Sequence, residues 1–405
     1  MALARLTRAE SYGASQIGPF DYVPRLGFRE YWYPAIELKH VGKNPIHLKL
    51  LGDDIVFFRA KNNKITALVD WCPHRGARLS LGVVDFEGTI TCPYHGYVFD
   101  GTGQCVAGLI ESPNSTFVPK LRATHYPTQE LFGIVFIWMG ATSPVPLEED
   151  IPEELLDPGT TGRRFMRVKE WPVNWTEPVA QGTDFHEFYL HRGLTFWRLF
   201  SKNLRFFRSK MVYTGGVEIV DKGEDYVSTR SVGPQFGQAY YPGVAGKWPR
   251  HTWWRRLPGG IERHRGKFWR DFHHNVQLPS IARVVLGQSM HLRWGVPVDE
   301  NTTKVWSFTL VDKPRNILAW LIQSIWYYGH RRHDIVVATN EKEDLFIFRD
   351  HRLNFETPEK LGPLDVGVIY WRRELALRAR DYQRLREVKG TQKNPPRARS
   401  RTQSG

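Results

Sequence analysis

Four side chains able to ligate metal fall within a short stretch of this 405-residue chain: Cys72, His74, Cys92 and His95. Cys72 and His74 form a Cys-x-His pair. Cys92 and His95 form a Cys-x-x-His pair, with seventeen residues between His74 and Cys92. The segments Cys72-Pro-His-Arg-Gly76 and Cys92-Pro-Tyr-His-Gly96 repeat one design, a proline-bearing loop closed by glycine. Two thiolates and two imidazoles can hold one ion or one small cluster. Zinc takes mixed Cys/His sets, but usually at Cys-x2–4-Cys and His-x3–5-His spacing, and Cys-x-His is a tight bite for a single ion. A two-iron cluster relaxes that constraint, because each loop can give its Cys to one iron and its His to the other. Glycine after each His lets backbone N–H groups approach the sulfur atoms.

The stretches Trp71-Cys-Pro-His-Arg-Gly-Ala-Arg78 and Thr91-Cys-Pro-Tyr-His-Gly-Tyr-Val-Phe99 resemble the cluster-binding loops of Rieske non-haem iron oxygenases. These are the terminal (alpha-subunit) components of aromatic-ring-hydroxylating systems. Respiratory Rieske proteins carry an extra Cys on each loop. Ala77 and Tyr94 stand at those places here, which favours the oxygenase type. Tyr31-Trp-Tyr-Pro34, Leu50-Leu-Gly-Asp53 and the stretch Leu131 to Gly140 fit the same family. The resemblance implies a [2Fe–2S] cluster on Cys72, His74, Cys92 and His95, with the two imidazoles facing outward. It also implies an α+β architecture: an antiparallel β cluster domain, then a larger catalytic domain with an antiparallel sheet and covering helices of helix-grip type.

A second set of metal-ligating residues lies downstream. His186 and His191 follow Trp171-Pro-Val-Asn-Trp175 and Gln181-Gly-Thr-Asp184. On a regular α-helix a five-residue step turns about 500°, which leaves the two rings roughly 140° apart. A π-type bulge or a loosened helix end brings them together, and Gly193 supplies a helix stop. Two His and one carboxylate form the facial triad that holds non-haem Fe(II) with open positions. The resemblance places that carboxylate far downstream, at Asp344, with Glu341 and Glu343 as neighbours able to compete. It also implies an acid that links the cluster His of one subunit to the iron His of the next. Asp184 is the candidate, one residue closer to the His than in the family pattern. Glu187 is its rival, and a helix-capping role for Asp184 is the alternative.

The elements that must position these groups read as follows. Residues 1–27 form an N-terminal arm and 28–145 the cluster domain. Short strand-like runs fill the latter, at Ile46–Leu51, Asp54–Phe58, Ile65–Val69, Val98–Phe99 and Ile134–Trp138. A proline-rich, acidic connector around 141–158 leads into the catalytic domain, 146–388. Strand alternation returns at 211–230, 284–286, 291–295 and 304–310, and residues 315–347 and 367–388 read as helical. The run Asn316 to Tyr328 is apolar on nearly all sides, hence buried or at an interface. Residues 389–405 form a basic tail. Gly101-Thr-Gly103 begins like a dinucleotide fingerprint, but its context is a β-hairpin.

Composition narrows the class. Hydrophobic residues at 41% and charged residues at 24% describe a globular chain with a sizeable core. Three Cys argue against a disulfide scaffold and fit a reducing, cytoplasmic compartment. Cys105 is left over as a small buried residue. No apolar run reaches the length of a membrane span. Five of the fourteen net positive charges sit on Lys389, Lys393, Arg397, Arg399 and Arg401, so nine remain in the body. With no nucleic-acid motif present, a basic face for an acidic electron donor is the expectation, the cluster Arg263, Arg265, Lys267 and Arg270 included.

The function expected from the resemblance is that of a terminal oxygenase. It uses O2 and electrons from a separate reductase or ferredoxin to hydroxylate, demethylate or dihydroxylate an apolar, aromatic or polycyclic small molecule. Its cofactors are the cluster and Fe(II), and its assembly is a ring-shaped homotrimer. A Rieske electron carrier without catalytic iron and a zinc-stabilised binding module are the competing classes.

Overall fold

The computed structural model describes residues 22–156, 161–183, 216–232, 273–286, 289–312 and 360–393, with short pieces within 316–325 and at 344–348. The strands of the first part are β1 (Trp32–Glu37), β2 (Ile46–Leu50), β3 (Asp53–Arg59), β4 (Ile65–Val69), β5 (Thr89–Thr91), β6 (Tyr97–Asp100), β7 (Cys105–Gly108), β8 (His125–Tyr126), β9 (Thr128–Leu131) and β10 (Ile134–Trp138). They pair antiparallel in three sheets, ordered β1-β10-β9, β2-β3-β4-β8 and β5-β6-β7. Strand β3 reads as an unbroken apolar run, Ile55-Val-Phe-Phe58, and the reason is that both its faces are covered. Alternate side chains point to opposite faces of a strand. Ile55 and Phe57 join the main core, while Val56 and Phe58 enter a second core beneath Cys72, Cys92 and Cys105. Strand β4 divides in the same way, Ile65 and Ala67 on one side and Leu68 on the other.

After the connector, with α1 (Glu153–Leu156), come β11 (Thr161–Trp171), α2 (Thr176–Ala180), β12 (Gly216–Lys222), β13 (Tyr226–Val232), β14 (His273–Gln277), β15 (Ile281–Leu286), β16 (Ser289–Pro297) and β17 (Thr303–Asp312). Among the described residues these strands form a 7-stranded antiparallel sheet, ordered β11-β17-β16-β15-β14-β13-β12. Helix α3 (Val366–Tyr370) lies on this sheet and runs through a π turn, Trp371–Leu375, towards α4 (Arg380–Lys393). Gly367 permits that approach: a Cβ there meets Thr183 Cβ at 2.6 Å and Thr229 Cγ2 at 2.8 Å. The fold is α+β, two antiparallel β parts with helices against the larger sheet. Arg283 of β15, fully buried, pairs with Glu154 of α1 at 3.0 Å and donates to Asn275 Oδ1 at 2.9 Å, fastening the connector to the sheet.

The main core is continuous across both parts. Phe136 of β10 meets Trp294 of β16 with ring centroids 5.9 Å apart, and Trp175 bridges Phe28 and Trp371 at 6.0 Å each. The β2–β3 turn docks on the end of β16 through Leu51 N–H to the Pro297 carbonyl, 2.7 Å, and Gly52 N–H to that of Val298, 3.0 Å. Residues 22–27, the end of the segment read as an arm, are packed in: Trp175 Nε1 donates to Pro24 O and Asn174 Nδ2 to Arg25 O. The described apolar residues of the run from Asn316 are not buried within the single chain. Ile317, Leu318, Trp320, Leu321 and Ile325 are exposed, so burial inside one chain is corrected and the interface reading remains an expectation. Among the described residues no helix is long and apolar enough to cross a membrane.

One carboxylate ties the chain ends together. Asp381 of α4 accepts the N–H of Arg29 at 2.7 Å and that of Glu30 at 3.1 Å. Arg29 also pairs with Asp53, and Arg384 with Glu30. Arg380 pairs with Asp150 at 2.8 Å, and Asp150 in turn accepts Trp32 N–H at 2.8 Å. Burial pushes Asp381 and Asp150 up to about 6 from the usual 3.8. A carboxyl raised in the folded state binds its proton more tightly there than in the unfolded chain. Its contribution to stability is therefore greatest at low pH and is lost as pH rises from about 4 to about 6. Asp381→Asn removes the Asp381 part of that slope, leaving that of Asp150, and leaves one buried N–H facing an amide donor. The expected cost at pH 7 is about 1–3 kcal/mol. Denaturant unfolding across pH 4–8 measures both effects; an unchanged midpoint and slope would sink the assignment of the hub to Asp381.

Candidate metal centre

The first loop leaves β4 at Asp70, whose side chain closes it. Ser80 N–H and Oγ–H donate to the two Asp70 oxygens at 2.6 and 2.7 Å, and Leu79 N–H donates to the Asp70 carbonyl. The second loop is the tip of the β5–β6 hairpin. Inside, the two loops are hydrogen-bonded alike. Cys72 N–H donates to Ala77 O and Gly76 N–H to Cys72 O. Cys92 N–H donates to Tyr97 O and Gly96 N–H to Cys92 O. Gly76 and Gly96 both adopt left-handed backbone, with φ of 72° and 66°.

These turns bring the sequence-identified residues Cys72, His74, Cys92 and His95 together as two pairs. The thiols are buried and share a hydrogen bond, and each also faces the N–H groups at positions two and three beyond it in its own loop. That arrangement pulls the Cys92 thiol down to about 6, chiefly because it accepts from Cys72, while the same bond and burial push Cys72 up. The imidazoles of His74 and His95 stand outside the thiols, half-buried, with centroids 4.8 Å apart and planes at 67°. His74 Nδ1 is buried without a hydrogen-bond partner, a ring nitrogen disposed to ligate. His95 is held below the usual imidazole range by desolvation and by the neighbouring His74 and Arg75. Inner sulfur pair, outer nitrogen pair and a bare buried nitrogen fit a two-iron cluster. Among the described residues no three His, Cys, Asp or Glu side chains converge as a cage for one ion. Cys105 is buried below the loops, its thiol raised by desolvation, and donates to Ala107 O at 3.4 Å. Gly101 and Gly103 lie in the β6–β7 hairpin, as their context suggested.

Around the pairs the surroundings differ. His74 is flanked edge-on by Tyr97 at 4.9 Å and Phe117 at 6.0 Å. His95 stacks on the exposed ring of Tyr94 at 3.7 Å, over which Arg75 also sits.

The second expected site is only partly within the described residues. Asp184, Glu187, His186, His191 and Gly193 lie outside them, as do Glu341, Glu343 and the cluster Arg263, Arg265, Lys267 and Arg270. Asp344 lies within them and is fully buried, and Leu345 and Phe348, which follow it, pack against Trp171, Val173 and Val305 at the edge of the large sheet. Arg293 of β16 approaches Asp344 Oδ2 at 3.4 Å, donates to Gln181 Oε1, and covers the Trp171 ring at 5.4 Å. Gln181 stands three residues before Asp184. One guanidinium thus joins the approach to the His pair with the expected carboxylate. Asn174 orders that approach: its Oδ1 accepts Thr176 N–H at 3.1 Å at the start of α2, and its Nδ2 donates to Glu300 O at 2.8 Å. Neither Arg293 nor Gln181 carries a motif, and nothing short-range in the sequence marks them.

Residues 31–120 match the sequence profile of the Rieske [2Fe-2S] domain. Over 305 residues the chain is 28% identical to the terminal oxygenase component CarAa of carbazole 1,9a-dioxygenase from Metapseudomonas resinovorans, covering 72% of this chain and 73% of that one. In fold it is similar to the terminal oxygenase of carbazole 1,9a-dioxygenase from Novosphingobium sp. KA1, with TM-score 0.68, 21% identity, and coverage of 93% of this chain and 98% of that one. It is also similar to the oxygenase in the reduced complex between oxygenase and ferredoxin of carbazole 1,9a-dioxygenase, with TM-score 0.67 and 22% identity, covering 96% of this chain and 97% of that one. The chain therefore carries a Rieske [2Fe–2S] domain on a terminal-oxygenase fold. Outside residues 31–120 it is similar in sequence and fold to the terminal oxygenase components of Rieske oxygenases.

The loop glycines give a test of the geometry. A left-handed backbone costs a residue with Cβ about 1–2 kcal/mol. At Gly76 nothing lies within 4 Å of an added Cβ, so Gly76→Ala bears only that strain. At Gly96 the added Cβ meets Leu109 Cβ at 3.0 Å, so Gly96→Ala bears strain and crowding. Thermal unfolding is expected to rank Gly96→Ala below Gly76→Ala, with both below the native chain; the reverse order would contradict this loop geometry.

Proposed function

We propose that this chain is the terminal component of an oxygenase that uses O2 and externally supplied electrons to oxidise an apolar aromatic or polycyclic small molecule at a mononuclear Fe(II). The observation that carries the proposal is the meeting of Gln181 and buried Asp344 on Arg293. A Rieske electron carrier has no need of a buried carboxylate joined through an arginine to the approach of a downstream His pair. In this reading Cys72, Cys92, His74 and His95 hold the cluster, and His186, His191 and Asp344 hold the iron. Iron bound there supplies oxygen activation with positions open for O2 beside the substrate. Desolvating a lone carboxylate is costly, and Arg293 offsets that cost while fixing the Asp344 rotamer. Trp171 and Phe348, 6.4 Å apart, wall the same region from water. Asp184, or Glu187, accepts hydrogen bonds from an imidazole of each metal site across a subunit boundary, which makes a homotrimer the working form. The cluster domain spans 28–145 and the catalytic domain 146–388. The carbazole in the relatives' names supports an aromatic, polycyclic substrate, and the ferredoxin of the solved complex supports a ferredoxin donor.

Replacement of His186 tests the iron site. His186→Ala is expected to keep the visible colour and Rieske-type EPR signal of the cluster, lose one iron per chain, and make no product from a panel of polycyclic arenes supplied with a surrogate reductase. Turnover equal to the native protein would refute the site. Loss of the EPR signal in Cys72→Ala tests the cluster ligands in parallel.

The donor is proposed to be acidic, steered by the net charge of the body. Screening shortens from ~10 Å at 0.1 M salt to ~3 Å at 1 M. Stopped-flow reduction of the cluster by an acidic ferredoxin is expected to slow steeply over that range. A rate independent of salt would rule out electrostatic steering.

A further inference from the structure

The wall on the His74 side contains a charge that the loop motifs do not account for. Tyr97, buried, donates its phenol O–H to Glu111 Oε1 at 2.7 Å, and Ser115 Oγ–H donates to Glu111 Oε2 at 2.8 Å. Ser115 Oγ in turn accepts Phe117 N–H at 3.2 Å. Both rings fixed by this chain of bonds, Tyr97 and Phe117, are the ones that flank His74. The backbone is shaped to bring the carboxylate there. Gly108 pairs with Tyr97 across β6–β7, and the chain turns straight back from it, Glu111 N–H donating to Gly108 O at 3.0 Å. A Cβ on Gly108 meets Glu111 Cγ at 2.7 Å and Tyr97 Cε1 at 3.2 Å, so only glycine leaves room. The hydrogen bond from Tyr97, then that from Ser115, keep Glu111 below the usual carboxylate range, and the same bond keeps Tyr97 protonated, at about 12. Among the described residues no such carboxylate stands by His95, which stacks on Tyr94 with Arg75 over that ring.

We propose that Glu111 is a positioning residue that sets the reduction potential of the cluster: pinned by Tyr97 and Ser115, it holds a fixed negative charge beside the His74 imidazole and makes the reduced cluster less favourable. The step is a one-electron reduction by an external donor, oxidised cluster plus one electron giving reduced cluster. The added negative charge meets the Glu111 carboxylate across the Tyr97–His74 contact, with no bond made or broken. The inference rests on the reading that Cys72, His74, Cys92 and His95 hold a [2Fe–2S] cluster.

Redox titration of the holoprotein by visible spectra and EPR tests it, in Glu111→Gln against native protein. Glutamine keeps an acceptor for the phenol and removes the charge. The expected result is a rise in midpoint potential corresponding to at least a threefold change in the reduced-to-oxidised ratio, about 28 mV at 59 mV per decade. The g-values are expected to stay unchanged, and the difference to shrink between low salt and 1 M salt as screening grows. A merely structural role shifts the g-values and is indifferent to salt, and that pattern overturns the proposal. So does a potential within threefold of native. If the glutamine protein takes up no cluster, Ser115→Ala carries the test: the charge remains with one donor fewer, so the potential is expected to hold or fall, and a threefold rise overturns the proposal. A native protein without a Rieske EPR signal would instead overturn the cluster reading itself, which keeps the two failures apart.

Discussion

Two backbone N–H groups, those of Arg29 and Glu30, donate to the two oxygens of the buried Asp381 carboxylate. The partners lie 352 and 351 positions away along the chain, yet β1 starts three residues after Arg29 and α4 starts one residue before Asp381. The bond therefore fixes the first strand of the cluster part against the last helix of the catalytic part. Arg29 extends the same hub to Asp53 at the start of β3, and Arg380 extends it to Asp150 in the connector. A buried ion pair is weak evidence for stability, since desolvation offsets much of the attraction. What this hub supplies is geometry. Its charges are satisfied in one relative placement of the two parts, and any slip leaves a buried carboxylate or guanidinium unpaired. The aromatic contacts Phe136–Trp294 and Phe28–Trp175 supply the apolar burial around that placement.

From β3 the constraint passes to the loops. Its side chains alternate between two cores, so β3 is the floor on which the loop-bearing sheet sits. The next strand, β4, is tied at its end by Asp70 N–H to the Asp54 carbonyl, 2.9 Å, and Asp70 then closes the first loop through Ser80. A carboxylate accepting both a backbone N–H and a hydroxyl is a charge-assisted clamp, stronger than neutral pairs. The thiols thus rest on a packed base, and the imidazoles reach the surface. Sulfur in the dry interior and nitrogen at the rim is the order that a cluster exchanging electrons with an outside donor requires.

Much of this was legible in the sequence, and for a physical reason. The ligand loops are short-range objects: residue types, proline and glycine all fall within five positions, so the text of each loop nearly determines its turn. Several strands were legible as short apolar or alternating runs, while β1, β11 and β14 were not read as strands, and the α+β class came from the resemblance. For the loop glycines the structure adds a cause that the sequence reading did not name, the left-handed backbone at Gly76 and Gly96. At Gly76 no neighbour crowds an added Cβ, and the left-handed backbone alone demands glycine. What the sequence could not show were the pairings between distant positions. Asp381 with Arg29, Arg293 with Asp344 and Gln181, and Glu111 with Tyr97 join ordinary charged residues whose meeting depends on the tertiary fold. The apolar run from Asn316 misled for a related reason: periodicity reports how apolar a helix is, and not whether its cover lies in the same chain.

The two loops also show how a small difference in spacing becomes a difference in chemistry. Both are closed by the same pair of hydrogen bonds, from the Gly N–H at the fifth position to the Cys carbonyl at the first, and from the Cys N–H to the carbonyl at the sixth. The His falls at the third position in one loop and at the fourth in the other. Side chains at successive positions of a tight turn leave it in different directions, so the two rings arrive at 67° to each other rather than stacked. One ring is thereby turned towards Tyr97 and Phe117, the other towards Tyr94 and Arg75. An identical pair of loops would give both nitrogens equal surroundings. The one-residue offset gives one imidazole an acidic, hydrogen-bonded wall and the other a basic, aromatic cover, and so lets the chain treat the two ends of a symmetric ligand set as chemically distinct.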